Sequence, residues 1–104
     1  MNLRNDFFQI LRIIQKGEIK TQRDIAQASG LSLGKINYCL NELKKKGLIK
    51  LENFKNNKNK VGYLYLLTPH GLKTKKNLTL SFMKQKSKEF DELKKELSSD
   101  KNNL

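Results

Sequence analysis

The stretch LSLGKINYCLNELKKKG, residues 31–47, constrains this chain more than any other. Leu33, Ile36, Leu40 and Leu43 recur at steps of three and four, so a helix puts them on one apolar face. Ser32 stands where its hydroxyl can take an orphan N–H of the first turn. Gly47 suits the left-handed position just past a helix end, where a Cβ would clash. Lys44, Lys45 and Lys46 lie in the last turn, where positive charge meets the negative end of the macrodipole. The opposite face carries Gly34, Tyr38, Asn41 and Lys45, flanked by Lys35 and Asn37, and holds no acid. It presents donors, acceptors and a stacking ring, a surface suited to an anion with readable edges such as DNA.

A chain of 104 residues makes one domain with one core. Its net charge of +12 and pI of about 9.9 favour a polyanionic partner, nucleic acid first and an anionic membrane second. All but Arg4, Arg12 and Arg23 of the 22 basic residues are lysine. A biased genome alone produces such a composition, so the position of the lysines says more than their total. The single cysteine, Cys39, excludes an intrachain disulfide and a cysteine zinc site. No apolar run approaches the roughly 18–20 residues of a membrane span. The first twenty residues include Asp6 and make a poor signal peptide, so a reduced, cytoplasmic compartment is expected.

Before the central helix, Phe7, Ile10, Leu11 and Ile14 predict a helix over 4–16, ended by Gly17. Thr21 opens a second helix running to Ser29, with Asp24 placed for a variant capping box. Ile25, Ala26 and Ala28 give it a narrow apolar surface. A helix, a Gly-containing turn at Gly30 and a further helix is the layout of a helix-turn-helix, whose second helix enters the major groove. After it, residues 48–52 read as a strand, 54–60 as a basic loop and 61–67 as a second strand. That is a wing, whose Lys55, Lys58 and Lys60 can lie along phosphates or enter the minor groove. From Lys35 to Lys60 eight lysines stand against Glu42 and Glu52 alone, a clustering that composition does not explain. Thr68 and Pro69 then open a long helix to Leu97. Leu72, Thr79, Met83, Lys86, Phe90, Leu93 and Leu97 approximate a heptad seam, widened by Leu80 and Phe82. A helix of that length outruns so small a core and needs a partner, most simply a second copy. Residues 98–104 read as a frayed tail.

The order helix, helix, turn, helix, wing, long helix resembles the MarR-type winged-helix transcription regulators. TQRDIAQASGLSLGKINYCLNELKKKGLI resembles their two-helix reader, and YLYLLTPHGLK their return strand and the opening of the next helix. The wording of residues 31–71 is similar to a small subgroup associated with exopolysaccharide gene clusters. The resemblance spans roughly residues 7–75 and implies a homodimer on a palindromic operator. Two departures stand out. MarR-type wings often carry Asp-x-Arg at the tip; here Asn57, Lys58, Asn59 and Lys60 stand there, so the arginine's role passes to Lys58 or Lys60. Family members are also longer at both ends, which leaves dimerisation to the C-terminal helix, helped by the first, and implies a reduced or absent small-molecule pocket.

The remaining candidates have plain readings. Cys39 fits a half-buried apolar position better than a redox switch, because no resolving cysteine exists. His70 has no ligand-type neighbours in sequence and belongs to a helix opening. The acids Glu89, Asp91, Glu92 and Glu96 argue against membrane binding by the long helix. No catalytic set, phosphate loop or cofactor motif occurs.

The chain is therefore expected to be mainly α with a small β-wing: a winged helix-turn-helix domain over 1–68, a long dimerisation helix over 69–97 and a tail over 98–104. The expected function is sequence-specific, repressor-like binding of double-stranded DNA, with no enzyme activity and no cofactor. Lys35, Asn37, Tyr38 and Asn41 are expected to probe base edges. Thr21, Gln22, Arg23, Ser32, Lys44, Lys45, Lys55, Lys58 and Lys60 are expected to line the DNA backbone. Leu72, Met83, Phe90, Leu93 and Leu97 are expected to form the dimer seam. Alternatives are a winged helix used for protein contact, or a non-specific nucleic-acid binder. Sequence names neither operator nor effector.

Overall fold

A computed structural model describes residues 3–17, 21–55 and 61–102, with side chains for 3–17, 21–52 and 64–101. Helix α1 spans Leu3–Gln15 and turns its stripe of Ile10, Leu11 and Ile14 fully inward. Gly17 follows at φ 84°, a conformation that only glycine adopts without strain. Helix α2, Gln22–Ser29, opens on a complete capping box: Thr21 Oγ1 accepts from Asp24 N–H at 3.0 Å, and Thr21 N–H donates to Asp24 Oδ2 at 3.2 Å. Ile25 is its core residue; Ala28 is exposed, contrary to the expected apolar surface, because α2 is short and meets its neighbours along one narrow line.

Helix α3, Leu33–Lys45, is the central helix anticipated above. Ser32 Oγ accepts from Lys35 N–H at 3.2 Å. At the far end the Gly47 N–H donates to Lys44 O and the Leu48 N–H to Leu43 O, each at 3.0 Å, with Gly47 at φ 73°. This is a Schellman ending, and its customary apolar pair, Leu43 with Leu48, is buried in the core. Two expectations change on the inner face. Leu33 is exposed, because it lies in the first turn, beyond the cover that α1 and α2 give. Cys39 is wholly buried rather than half-buried. The core joins Ile10, Leu11, Ile14, Ile25, Ile36, Cys39, Leu40, Leu43, Leu48, Ile49 and Tyr65. Each large aliphatic side chain so buried contributes about 1.5–3 kcal/mol.

Strand β1, Ile49–Lys55, pairs antiparallel with β2, Val61–Leu67, in a register running from Ile49↔Leu67 to Lys55↔Val61. The first strand is thus longer than expected, and Phe54 and Lys55 are strand rather than loop. The strand-forming residues Val61 and Tyr63 supply ladder partners as far as Lys55. Lys58 and Lys60 lie outside the described residues.

Helix α4, Pro69–Asn102, has 34 residues, about 51 Å at 1.5 Å per residue. It sets the long dimension of a molecule measuring 68 × 27 × 25 Å. The helix continues through Ser98–Asn102, where a frayed tail was expected; no Gly or Pro follows Gly71 in it, and Lys101 suits its negative end. Its first half packs on the body of the protein. Leu78 rests on the core, and Phe82 stacks on Phe8 of α1 with centroids 4.7 Å apart and planes 9° apart. Arg4 lies 5.7 Å from the Phe82 centroid and donates to Ser81 Oγ at 2.7 Å; Arg12 covers Phe8 at 5.5 Å. Phe82 is therefore an internal contact, not a member of a free seam.

Candidate nucleic-acid interface

The helix that would enter a groove is held by its back. Ile36, Cys39, Leu40 and Leu43 are buried against α1, α2 and the strands, so the opposite face is turned out. Tyr38 is 51% exposed, and Gly34, Asn37, Asn41, Lys44 and Lys45 are exposed with it. The phenol and two amides thus occupy the outer surface as the periodicity required. Thr21 and Arg23 are exposed at the start of α2, and Ser32 at the start of α3. Both helices open their first turns outward there, a geometry that suits phosphate oxygens.

Two contacts within this surface were not foreseen. Gln22 Nε2 donates to Asn37 Oδ1 at 3.2 Å, which ties α2 to α3 by side chains. The bond orients both amides: the Asn37 NH2 and the Gln22 carbonyl oxygen keep their hydrogen-bonding capacity for a ligand. The second contact involves Lys35, which was expected to probe base edges. The Lys35 ammonium sits 2.9 Å from Asp6 Oδ2 on α1, with the two side chains 27% and 11% exposed. Lys35 is therefore drawn toward the body of the protein. One signal was present in the sequence: Asp6 is the lone acid of α1 and lies one turn before Ile10 on its apolar stripe. An acid in such a stripe needs a cation nearby.

The other charges remain outward. Lys45 is 3.6 Å from Glu42 and Lys50 is 3.2 Å from Glu52, both surface pairs that restrain their lysines weakly. Among the described residues Lys44 and Lys46 have no acidic partner. The Cys39 thiol is pushed above its ordinary 9.0 by burial and then by the Asp6 carboxylate, against a smaller opposing pull from Lys35. That environment disfavours a thiolate. Among the described residues no group of three His, Cys, Asp or Glu side chains could hold a metal ion, and no helix is long and apolar enough to cross a membrane.

On α4 the expected seam residues Leu72, Met83, Phe90, Leu93 and Leu97 are all exposed, the last three at 57–62%. Thr79, a polar break in that seam, satisfies its hydroxyl by donating to Lys75 O at 2.8 Å. Between α1 and α4 lies an open groove of about 590 Å³, with Phe8, Phe82 and Met83 as its apolar lining and Arg12 and Lys86 at its edges.

Residues 8–50 match the family described as winged helix-turn-helix DNA-binding. No curated protein matches the sequence. Among solved structures, a PadR-like transcriptional regulator from Bacillus cereus superposes with a TM-score of 0.73 at 19% identity, covering 84% of this chain and 89% of that one. A Streptococcus mutans protein gives 0.68 at 23% identity, covering 81% of each chain. Staphylococcus aureus MarR, solved with salicylate and kanamycin, gives 0.62 at 23% identity, covering 84% of this chain and 57% of that one. At such identities the likeness shows the fold, a winged helix with a long C-terminal helix, which PadR-like and MarR structures share.

Proposed function

We propose that this chain is a dimeric, sequence-specific regulator of transcription that binds double-stranded DNA in the cytoplasm. The observation that carries the reading is the outward face of α3, where Glu42 is the one acid and already pairs with Lys45. It presents Tyr38, Asn37 and Asn41 beside exposed lysines, on a helix backed by α1 and α2 and followed by a two-stranded wing. Asn37, Tyr38 and Asn41 meet base edges, for which asparagine suits adenine. Thr21, Gln22, Arg23, Ser32, Lys44 and Lys45 meet the backbone, and the wing lysines Lys55, Lys58 and Lys60 continue that track. The family match over residues 8–50 and the fold shared with transcriptional regulators support the same reading.

The dimer rests on the exposed apolar stripe of α4, which one copy leaves uncovered. Two recognition helices then lie about 34–36 Å apart, or a multiple of it, on a palindromic site. Occupying that site represses the genes it overlaps. The resemblance of residues 31–71 makes exopolysaccharide gene promoters the first to test.

Selection of bound duplexes from a random pool tests the reading, followed by titration of the selected duplex over a salt series. A palindromic consensus is expected. With about four phosphates neutralised per half-site, the log–log slope is near −7 at about −0.9 per phosphate. A slope near zero points instead to protein contact. A steep slope without a consensus points to non-specific binding.

A further inference from the structure

We infer that Asp6 is a specificity-determining positioning residue: it holds the Lys35 charge on the body side of α3, so that the DNA meets a neutral reading surface at that point. The inference rests on the DNA-binding reading above. Asp6 is a buried acid on α1, and among the described residues its Oδ2 has no partner other than the Lys35 ammonium. The Lys35 ammonium at 2.9 Å is what balances it. The pair joins the first turn of α1 to the first turn of α3, and the buried Cys39 thiol feels both charges.

The position of Lys35 is what gives the pair a role in recognition. Its backbone N–H is already bonded to the Ser32 cap, at the positive end of the α3 macrodipole. A free ammonium there would add one more charge where a helix N-terminus already attracts phosphate. Phosphate attraction is blind to sequence, whereas the amides of Asn37 and Asn41 and the phenol of Tyr38 discriminate. Holding Lys35 back keeps the sequence-independent part of the affinity low without touching the discriminating part. One extra phosphate contact steepens the log–log salt slope by about 0.9 per half-site, so its absence is measurable.

The test compares wild type, Asp6→Asn, Lys35→Gln and the double variant on the selected duplex and on a scrambled one, across a salt series. Circular dichroism establishes that each variant is folded at the working temperature. Asp6→Asn is expected to tighten binding to scrambled DNA more than to selected DNA and to steepen the slope by about 0.9 per half-site. The double variant is expected to return the slope to that of wild type, which a merely structural role for Asp6 would not produce. Lys35→Gln alone is expected to leave the slope where it was. If it flattens the slope by about 0.9 per half-site, Lys35 already holds a phosphate and the inference is overturned while the DNA reading stands. An unchanged slope in folded Asp6→Asn also overturns it. Should Asp6→Asn not fold, Lys35→Gln decides in the same two directions. A wild type that binds neither duplex overturns the DNA reading and this inference together.

Discussion

Gly71 packs so tightly on the backbone of Leu48 that a Cβ built on it would overlap the Leu48 carbonyl oxygen and approach the carbonyl carbon to 2.9 Å. That same carbonyl accepts the Thr68 N–H at 3.0 Å. Thr68 Oγ1 donates to Gly47 O at 2.5 Å and accepts from the Gly71 N–H at 2.9 Å. The end of α3, the start of the wing and the start of α4 are therefore fastened at one point.

Gly71→Ala should loosen that junction. The clashing atoms are backbone, which cannot swing aside, so a loss of about 1–3 kcal/mol is expected, typical of overpacking. A thermal melt followed by circular dichroism should fall by about 4–8 °C for each kcal/mol. Gly34→Ala is the contrasting case. Gly34 is helical, and a Cβ there meets nothing within 4 Å. It should raise stability by up to about 0.5–1 kcal/mol. Equal losses in the two variants would refute the close approach at Gly71.

Phe90→Asp and Leu93→Asp place charge on the exposed stripe of α4, away from the core. Light scattering at micromolar concentration should give a dimer for wild type and a monomer for the pair of substitutions, with helical content retained. A wild-type monomer would end the dimer proposal. Truncation after Leu72 is not a substitute, because Leu78 and Phe82 beyond it pack on the core and on Phe8.

Readout and anchoring should separate by mutation. Asn41 and Tyr38 are exposed on the face opposite Ile36, Leu40 and Leu43, so changing either to Ala spares the core. Loss of a bidentate contact by Asn41→Ala should cost about 1–3 kcal/mol on the selected duplex and far less on scrambled DNA. Lys58→Ala and Lys60→Ala should weaken both duplexes alike and flatten the salt slope by about 0.9 for each lost phosphate. Equal effects of Asn41→Ala and Tyr38→Ala on both duplexes would reduce α3 to a cationic surface.

Cys39 should behave as an inert thiol. Disulfide-exchange labelling of the native protein at pH 8 should be far slower than of the denatured chain. The folded pKa lies above the ordinary 9.0, so the unfolded chain ionises first as pH rises. The thiol's contribution to stability is thus intact below about pH 9 and lost above it as the pH climbs through the folded value. The difference in unfolding free energy between wild type and Cys39→Ala, followed from pH 8 to 10, should shrink. A difference that grows with pH would contradict the burial of the thiol.

Local chemistry made much of this fold legible. Thr21 with Asp24, Ser32, Gly47 and the Thr68–Pro69 pair each specify a helix boundary within a few residues of chain, and each boundary stands where its cap puts it. The buried face of α3 followed from periodicity, except at Leu33, where burial depended on how far neighbouring helices reach. What escaped were pairings between elements distant in sequence. Nothing near Lys35 announces Asp6, and nothing near Phe82 announces Phe8. The length of β1 depended on its partner strand rather than on Asn53, Phe54 and Lys55 themselves. Of the interface, the outward position of Tyr38 and Asn41 was readable, whereas the Gln22–Asn37 bond required the angle between two helices.

The fastening at Thr68 and Gly71 makes α4 a lever with its fulcrum at the tail of α3. Its free arm, the twenty residues beyond Phe82, is about 30 Å long, so a sideways shift of about 5 Å at the far tip turns it by about 10°. The head of α3 rides on the same rod by a second linkage, through Asp6 on α1 and the stacked rings of Phe8 and Phe82. Whatever grips the tip of α4 is therefore linked to both ends of α3 at once.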